Sequence, residues 1–457
     1  MNSVKAPNAL LKGDIKATMI AMTVPMLFGT LILMTFNIVD TFFISLLGTE
    51  PLAAISFTFP ISFTIVSLGI GLSIGTSAVI ARALGQGNTT EARGDATVAL
   101  GLSCSIVGAI SIVGYFLSPM IFKALGATDH IYSYIQPYMD LWFLGAVLLM
   151  VPMIGNGILR AAGDTKIPSI IMGTSGLVNA VLDPILIFGF GPIPAMHMHG
   201  AALATVISWL VGSVAMLYML QKRNLLNLNW PGWKLLKAAS KKILSIGLPA
   251  AGANMLTPLA MAILTAMMAS HGAHAVAGFG VGARLEGMAI LIVLTLSMTL
   301  PPFISQNFGA GFWHRVQQGY QLCVKFVLVW QLIIYIVLAI LAIPLAKLFS
   351  DEPEVIHIIS LFIWIMPLGY GLQGITILTN SSLNALHQPS KALLLSIIRL
   401  FVFYVPLAWL GGNFFGITGL FVGCVIANAF TAGIAWRWFN KVANKTAKIG
   451  EHVVEKF

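Results

Sequence analysis

The chain has 457 residues, 58% of them hydrophobic and only 9% charged, and carries a net charge of +10. A soluble domain keeps about a quarter of its residues charged, and a mean hydropathy of +0.91 excludes one here. What remains is an all-α polytopic membrane protein.

Lys5, Lys12, Asp14 and Lys16 lead into an apolar run too long for a signal-peptide core, with no small-residue cleavage site behind it, so the first span is expected to stay. From there, windows of about 20 apolar residues predict twelve transmembrane helices. They fall near 15–47, 52–81, 95–121, 131–159, 166–190, 199–221, 243–270, 275–308, 316–349, 355–386, 391–411 and 416–440. Several exceed a straight crossing and should tilt, kink or project. An even number puts both termini on one side. Basic residues, from Lys5 and Arg82 through Lys242 to Lys456, crowd the termini and even-numbered loops, while the opposite loops hold only Lys123 and Lys347. The positive-inside rule makes that side cytoplasmic. The same residues serve as topology signals and lipid-headgroup contacts, which accounts for the net charge without a nucleic-acid partner. Cys104, Cys323 and Cys424 lie in separate apolar runs and read as packing residues, not as a disulfide framework or a zinc site.

The second half repeats the first. At a constant offset of 224 residues Pro25 meets Pro249, Thr41 meets Thr265, Gly48 meets Gly272, and Gly85 and Gly87 meet Gly309 and Gly311. Asn156, Leu159 and Ala161 likewise meet Asn380, Leu383 and Ala385. Each half is therefore a six-helix lobe, and an even number per lobe relates the copies by a pseudo-two-fold along the membrane normal. The expected organisation is an N-lobe over 1–221, a basic cytoplasmic linker over 222–242, a C-lobe over 243–440 and a tail over 441–457. Trp230 and Trp233 in the linker are expected to anchor at the interface.

Asp40, in "MTFNIVDTFF", is the first charge after Lys16, and a carboxylate at mid-bilayer costs about 2.5–3.5 kcal/mol on insertion scales. The duplication supplies a control. Asp40 maps to Leu264, Tyr138 to Phe362 and Asp183 to Leu407, or to Val405 if the following prolines are matched instead. The architecture does not demand these polar groups, so they belong to something only the N-terminal half does. Counting from the external ends of their helices, Asp40, Asp183, Tyr138 and Thr205 all lie about 10 Å deep, in one layer. Asn37 stands at i−3 from Asp40 and Asn179 at i−4 from Asp183, each on its carboxylate's helix face. Pro184 leaves the carbonyl of Ala180 without its usual donor. Two carboxylates, amides, a phenol and a hydroxyl suit a proton or a hard cation such as sodium, held at Asp40 and Asp183. The plainer alternative is that single polar residues such as Asn179 or Thr205 only tie helices together, by about 0.6 kcal/mol each.

Other features say less. Arg284 and Glu286 in the eighth helix are two residues apart, so each needs its own partner. His197 and His199 are spaced for a metal, but two histidines in an external loop are more often solvated. Gly71 and Gly75 in "GIGLSIG" suit close helix packing, since no lysine follows to make a phosphate loop. There is no nucleophile with a base and no ATP motif, which leaves an ion gradient to supply energy.

"NIVDTFF" after a proline-containing first helix, "ARALGQGNTTEARG", "RAAGDTKIP", "NAVLDPILIFG" and "GAALATVIS" together resemble the MATE multidrug and toxin extrusion transporters in their DinF-like branch. The resemblance covers essentially the whole chain. It implies that Asp40, Tyr138, Asn179, Asp183 and Thr205 form an N-lobe cation-coupling site, that drugs bind in or beside the N-lobe, and that the first helix bends at Pro25. The NorM-like branch places acidic coupling residues on helices 7 and 10, where this chain has none within the spans. The expected function is a secondary antiporter of the bacterial inner membrane that exports lipophilic, often cationic compounds against protons or sodium ions. It would act as a monomer without a cofactor. Met26, Asn156 and Met172 are candidate pocket residues. The alternatives are a flippase for lipid-linked sugars, whose pyrophosphate would call for embedded arginines, and a membrane enzyme.

Overall fold

The computed structural model describes the backbone of residues 7–227, 229 and 232–454, and the side chains of 10–36, 38–227, 229 and 232–444. Asn37's side chain and Trp230 fall outside the described residues, whereas Trp233 is exposed, as an interfacial anchor requires.

The described residues form helices joined by short turns. A short helix, Pro7–Lys12, precedes span 1 at Ile15–Ser45. Spans 2 to 7 are Thr49–Gly85, Thr89–Ala124, Asp129–Ala161, Lys166–Phe188, His197–Lys222 and Gly232–Ala269. Span 8 comes in two pieces, Ala273–Ala289 and Leu291–Gly309, and span 9 is Trp313–Phe349. Span 10 runs Pro353–Ile365, tightens into a 3-10 turn at Met366–Gly369 and resumes at Tyr370–Ala385. Span 11 opens at Pro389–Ile397, widens into a π-helical stretch at Ile398–Tyr404 and enters the last helix, Val405–Val454. Phe415 and Gly416 leave helical torsion inside that helix and divide span 11 from span 12. Twelve crossings result, as the hydropathy predicts.

Local chemistry sets the starts. The Asn88 side chain accepts the Glu91 backbone N–H at 3.1 Å, which pairs one of the donors left open at the start of span 3, and its amide donates to the Glu91 carboxylate at 2.8 Å. Thr128 caps span 4 in the same way through the Ile131 N–H. Turns need left-handed residues, and they recur in the 224-residue register: Gly48 with Gly272 (φ 119° and 101°) and Gly87 with Gly311 (both 78°). Gly163 (84°) matches His387 (55°), where the second half keeps the backbone shape without glycine.

The chain divides into two compact units, residues 1–9 with 20–251 and residues 10–19 with 252–457. In the first, the predicted close approach at "GIGLSIG" is present: a Cβ on Gly71 would lie 2.4 Å from the Gly247 carbonyl, and one on Gly75 2.6 Å from that of Ile243. Glu91 of this unit pairs with Lys242 at the lead-in to span 7. In the second unit, Arg315 donates to the carbonyls of Gly13 (2.7 Å) and Leu10 (3.3 Å), and Asn307 donates to Leu10 as well (3.1 Å). Glu91 and Arg315 occupy the same repeat position, so each half uses it to hold a lead-in segment, by an acid in one case and a base in the other.

Candidate functional site

Span 1 supplies Asp40 and span 5 supplies Asp183, both in the first unit. Asp183 is fully buried, Asp40 is half-buried, and the two carboxyl groups lie within hydrogen-bonding reach of one another. Asn179, one turn before Asp183, donates its amide to Asp183 Oδ1 at 3.1 Å. Asp40 Oδ1 and Asp183 Oδ2 are buried and receive no donor from the described residues. Tyr138 of span 4 is buried and interacts electrostatically with both aspartates. Three residues chosen by depth along the sequence, Asp40, Asp183 and Tyr138, thus meet here, with Asn179, chosen by its spacing from Asp183, beside them. Two orphaned acceptor oxygens in an apolar surround are costly to leave bare, and a proton or a small cation is what they can take.

The remaining predicted residues are placed differently. Thr205 spends its hydroxyl on the Ala201 carbonyl of its own helix at 3.0 Å, which leaves only its oxygen for the layer. Asn156 donates to the Met172 sulfur at 3.3 Å, and its own oxygen is buried without a partner. The same contact recurs at the repeat positions, where Asn380 donates to Ser396 Oγ at 2.7 Å. Met26 is buried and directly follows Pro25 in an otherwise continuous helix. Asp140, two residues beyond Tyr138, sits with Gln136 and His199 instead of the aspartates. No group of three or more His, Cys, Asp or Glu fit for a metal occurs among the described residues.

A second polar cluster lies in the other unit. Gln373 of span 10 donates to Glu286 Oε1 at 3.2 Å, and Arg399 of span 11 interacts electrostatically with that carboxylate without meeting it in a salt bridge. The Arg399 guanidinium stands 5.5 Å from the centre of the Tyr404 ring, and Tyr370 is buried beside Glu286. Arg284, by contrast, is exposed, so Glu286 takes partners from other helices, as the two-residue spacing requires. Sequence reasoning that sorts basic residues by loop passes over Arg399, which belongs to no loop. Its position eight residues inside the span predicted over 391–411 was the available signal.

Two repeated six-span lobes, each with polar groups inside its spans, define a duplicated polytopic membrane protein. The MatE family model matches the chain twice, over residues 25–185 and 249–410, which is the repeat register itself. The chain belongs to the MATE transporter family. It is 40% identical to a FAD transporter of Shewanella oneidensis, over 93% of this chain and 94% of that one. A multidrug export protein, MepA of Staphylococcus saprophyticus, is 26% identical over 92% of each chain. The MATE transporter VcmN of Vibrio cholerae, solved in a bent form, superposes with a TM-score of 0.90 at 35% identity, covering 94% of this chain and 98% of that one. Membership of this family makes the chain a transporter of small molecules and not an enzyme.

Proposed function

We propose that this protein is an inner-membrane exporter driven by entry of protons or sodium ions at Asp40 and Asp183, with both termini in the cytoplasm. The observation that carries the reading is the facing of two carboxyls, one fully buried and one half-buried, each with a buried oxygen that lacks a donor among the described residues. Two like charges in contact at low dielectric cannot both stay bare, so a proton or a metal cation between them is the condition for closing spans 1 and 5 together. Unloading lets them part, and span 1 can bend because Pro25 supplies no backbone N–H to its preceding turn. All the coupling groups come from one unit of one chain, so a monomer suffices. Leucines at the second-half equivalents of both aspartates suit the DinF-like branch. The test is efflux from proteoliposomes with proton and sodium gradients imposed separately. Export that ignores both gradients would refute the coupling.

The cargo has two readings. Lipophilic drugs follow from the multidrug relatives, with Met26, Asn156 and Met172 lining the N-lobe side of the path. A flavin dinucleotide follows from the FAD transporter at 40% identity, and a specific feature favours it: a pyrophosphate calls for an embedded arginine, and Arg399 is one. Parallel efflux of FAD and of ethidium by the same vesicles separates them.

A further inference from the structure

A guanidinium in mid-span is expensive unless its donors are used. Arg399 lies about 15 Å along its helix from Pro389, and Glu286 about 20 Å from Ala273, so both stand well inside their spans. Arg399 makes no hydrogen bond or salt bridge with any described residue; it meets the Tyr404 ring and interacts electrostatically with Glu286 and Cys424. Glu286 is meanwhile held by Gln373, so the acid that could have quenched the guanidinium is occupied elsewhere. Gln373 Oε1 and Gln331 Oε1 are both buried and lack donors among the described residues.

The backbone is irregular at the same three places. Span 8 breaks at Ile290, one turn past Glu286, where Gln331 donates to the Ala289 carbonyl at 3.0 Å. Span 10 tightens at Met366–Gly369, one turn before Gln373, and Arg399 sits inside the π-helical stretch that ends just before Pro406. Spans 2, 4 and 5, their repeat equivalents, run without interruption. In the same register Glu286, Gln373 and Arg399 correspond to Ser62, Leu149 and Ser175, so the scaffold requires neither these groups nor these breaks. Interrupted spans and π-bulges are tolerated in a membrane where they line a binding site.

We propose that Arg399 anchors the phosphate of an organic substrate in a C-lobe subsite, with Gln373 and Gln331 offering carboxamide oxygens to N–H groups of its ring system. The guanidinium fork matches phosphate oxygens two at a time, and the Tyr404 ring keeps the fork in orientation. The subsite rests on the flavin dinucleotide reading of the cargo and adds the group that selects the phosphate over the ring.

The test is equilibrium binding of FAD and of riboflavin, which lacks phosphate, to the full-length protein in nanodiscs, read by flavin fluorescence without any gradient. Failure of the Asp40–Asp183 coupling would leave this result untouched. The wild type should prefer FAD to riboflavin. Arg399→Gln should weaken FAD binding by about tenfold or more and riboflavin by much less, and Arg399→Lys, a point charge without the fork, should fall between. Retained thermal melting certifies that the variants fold. Equal FAD affinity in wild type and Arg399→Gln, or equal losses for both flavins, would overturn the proposal. Nanodiscs of phosphatidylglycerol against phosphatidylcholine supply the other arm. If the anionic lipid alone abolishes the Arg399-dependent preference, the anion is a headgroup and the substrate assignment falls.

Discussion

The two lobes share a fold and almost none of its chemistry. The first unit carries two carboxyls, Asp40 and Asp183, on helices that continue through their prolines. The second has Leu264 and Leu407 in their places, with Glu286, Gln373 and Arg399 set among broken helices where the first has Ser62, Leu149 and Ser175. Even the contacts both lobes keep are rewritten in charge. Glu50 pairs with His130 at 3.0 Å, and at the equivalent positions His274 pairs with Glu354 at 3.6 Å, base and acid exchanged. Turn geometry and packing survive duplication because every later contact depends on them. A charge in a span survives only where something uses it, so a difference in charge between the lobes fits the division of labour proposed above, ion coupling in one and phosphate recognition in the other.

The largest effect should come from removing the N-lobe charge. Asp40→Asn should reduce gradient-driven efflux to background with the protein still inserted, whereas Leu264→Asn should retain most of it. Equal losses in proteoliposomes would erase the asymmetry. Packing differs next. Gly71 and Gly75 correspond to Thr295 and Thr299, yet a Cβ at Gly71 has no room. Gly71→Thr should therefore cost about 1–3 kcal/mol by overpacking, and Thr295→Gly about 1 kcal/mol; thermal melting in detergent ranks them.

Pro25→Ala restores a backbone donor in span 1 and should slow efflux several-fold at unchanged expression, with spin-label distances across residue 25 narrowing to fewer conformers. An unchanged distribution would reject the bend. Glu286→Gln removes the counter-charge that competes for Arg399, so FAD should bind a few-fold more tightly in the same nanodisc titration. Weaker binding would make Glu286 a ligand group. The smallest effect is expected at the exchanged pair. Swapping Glu50 and His130 should leave the melting temperature unchanged, since exposed ion pairs contribute little.

Much of the candidate site was legible in the chain. A carboxylate in an apolar run is visible because hydrocarbon penalises it, helix rise converts position into depth, and the internal repeat shows which polar residues the fold can do without. Asp40, Tyr138 and Asp183 follow from those three facts, and Asn179 from its one-turn spacing to Asp183. What depth could not show was direction: Thr205 shares the layer but turns its hydroxyl to its own helix. The charge count by loop passed over Arg399, since it asks which side a charge is on and not whether it is inside.

Span number, the duplication and the depth of each charge belong to the sequence, because they depend on local hydropathy and a fixed rise per residue. The tertiary structure decided which buried groups are paired and which are left open. It holds Glu286 with Gln373 while Arg399 keeps its donors free, and it turns Asp183 Oδ2 and Asp40 Oδ1 away from every described donor. It also decided where helices break, since Pro152 and Pro184 sit inside regular spans while Pro367 falls in a 3-10 turn. A proline removes one donor wherever it stands, but only the neighbouring helices determine whether the freed carbonyl is tolerated or the backbone rearranges around it.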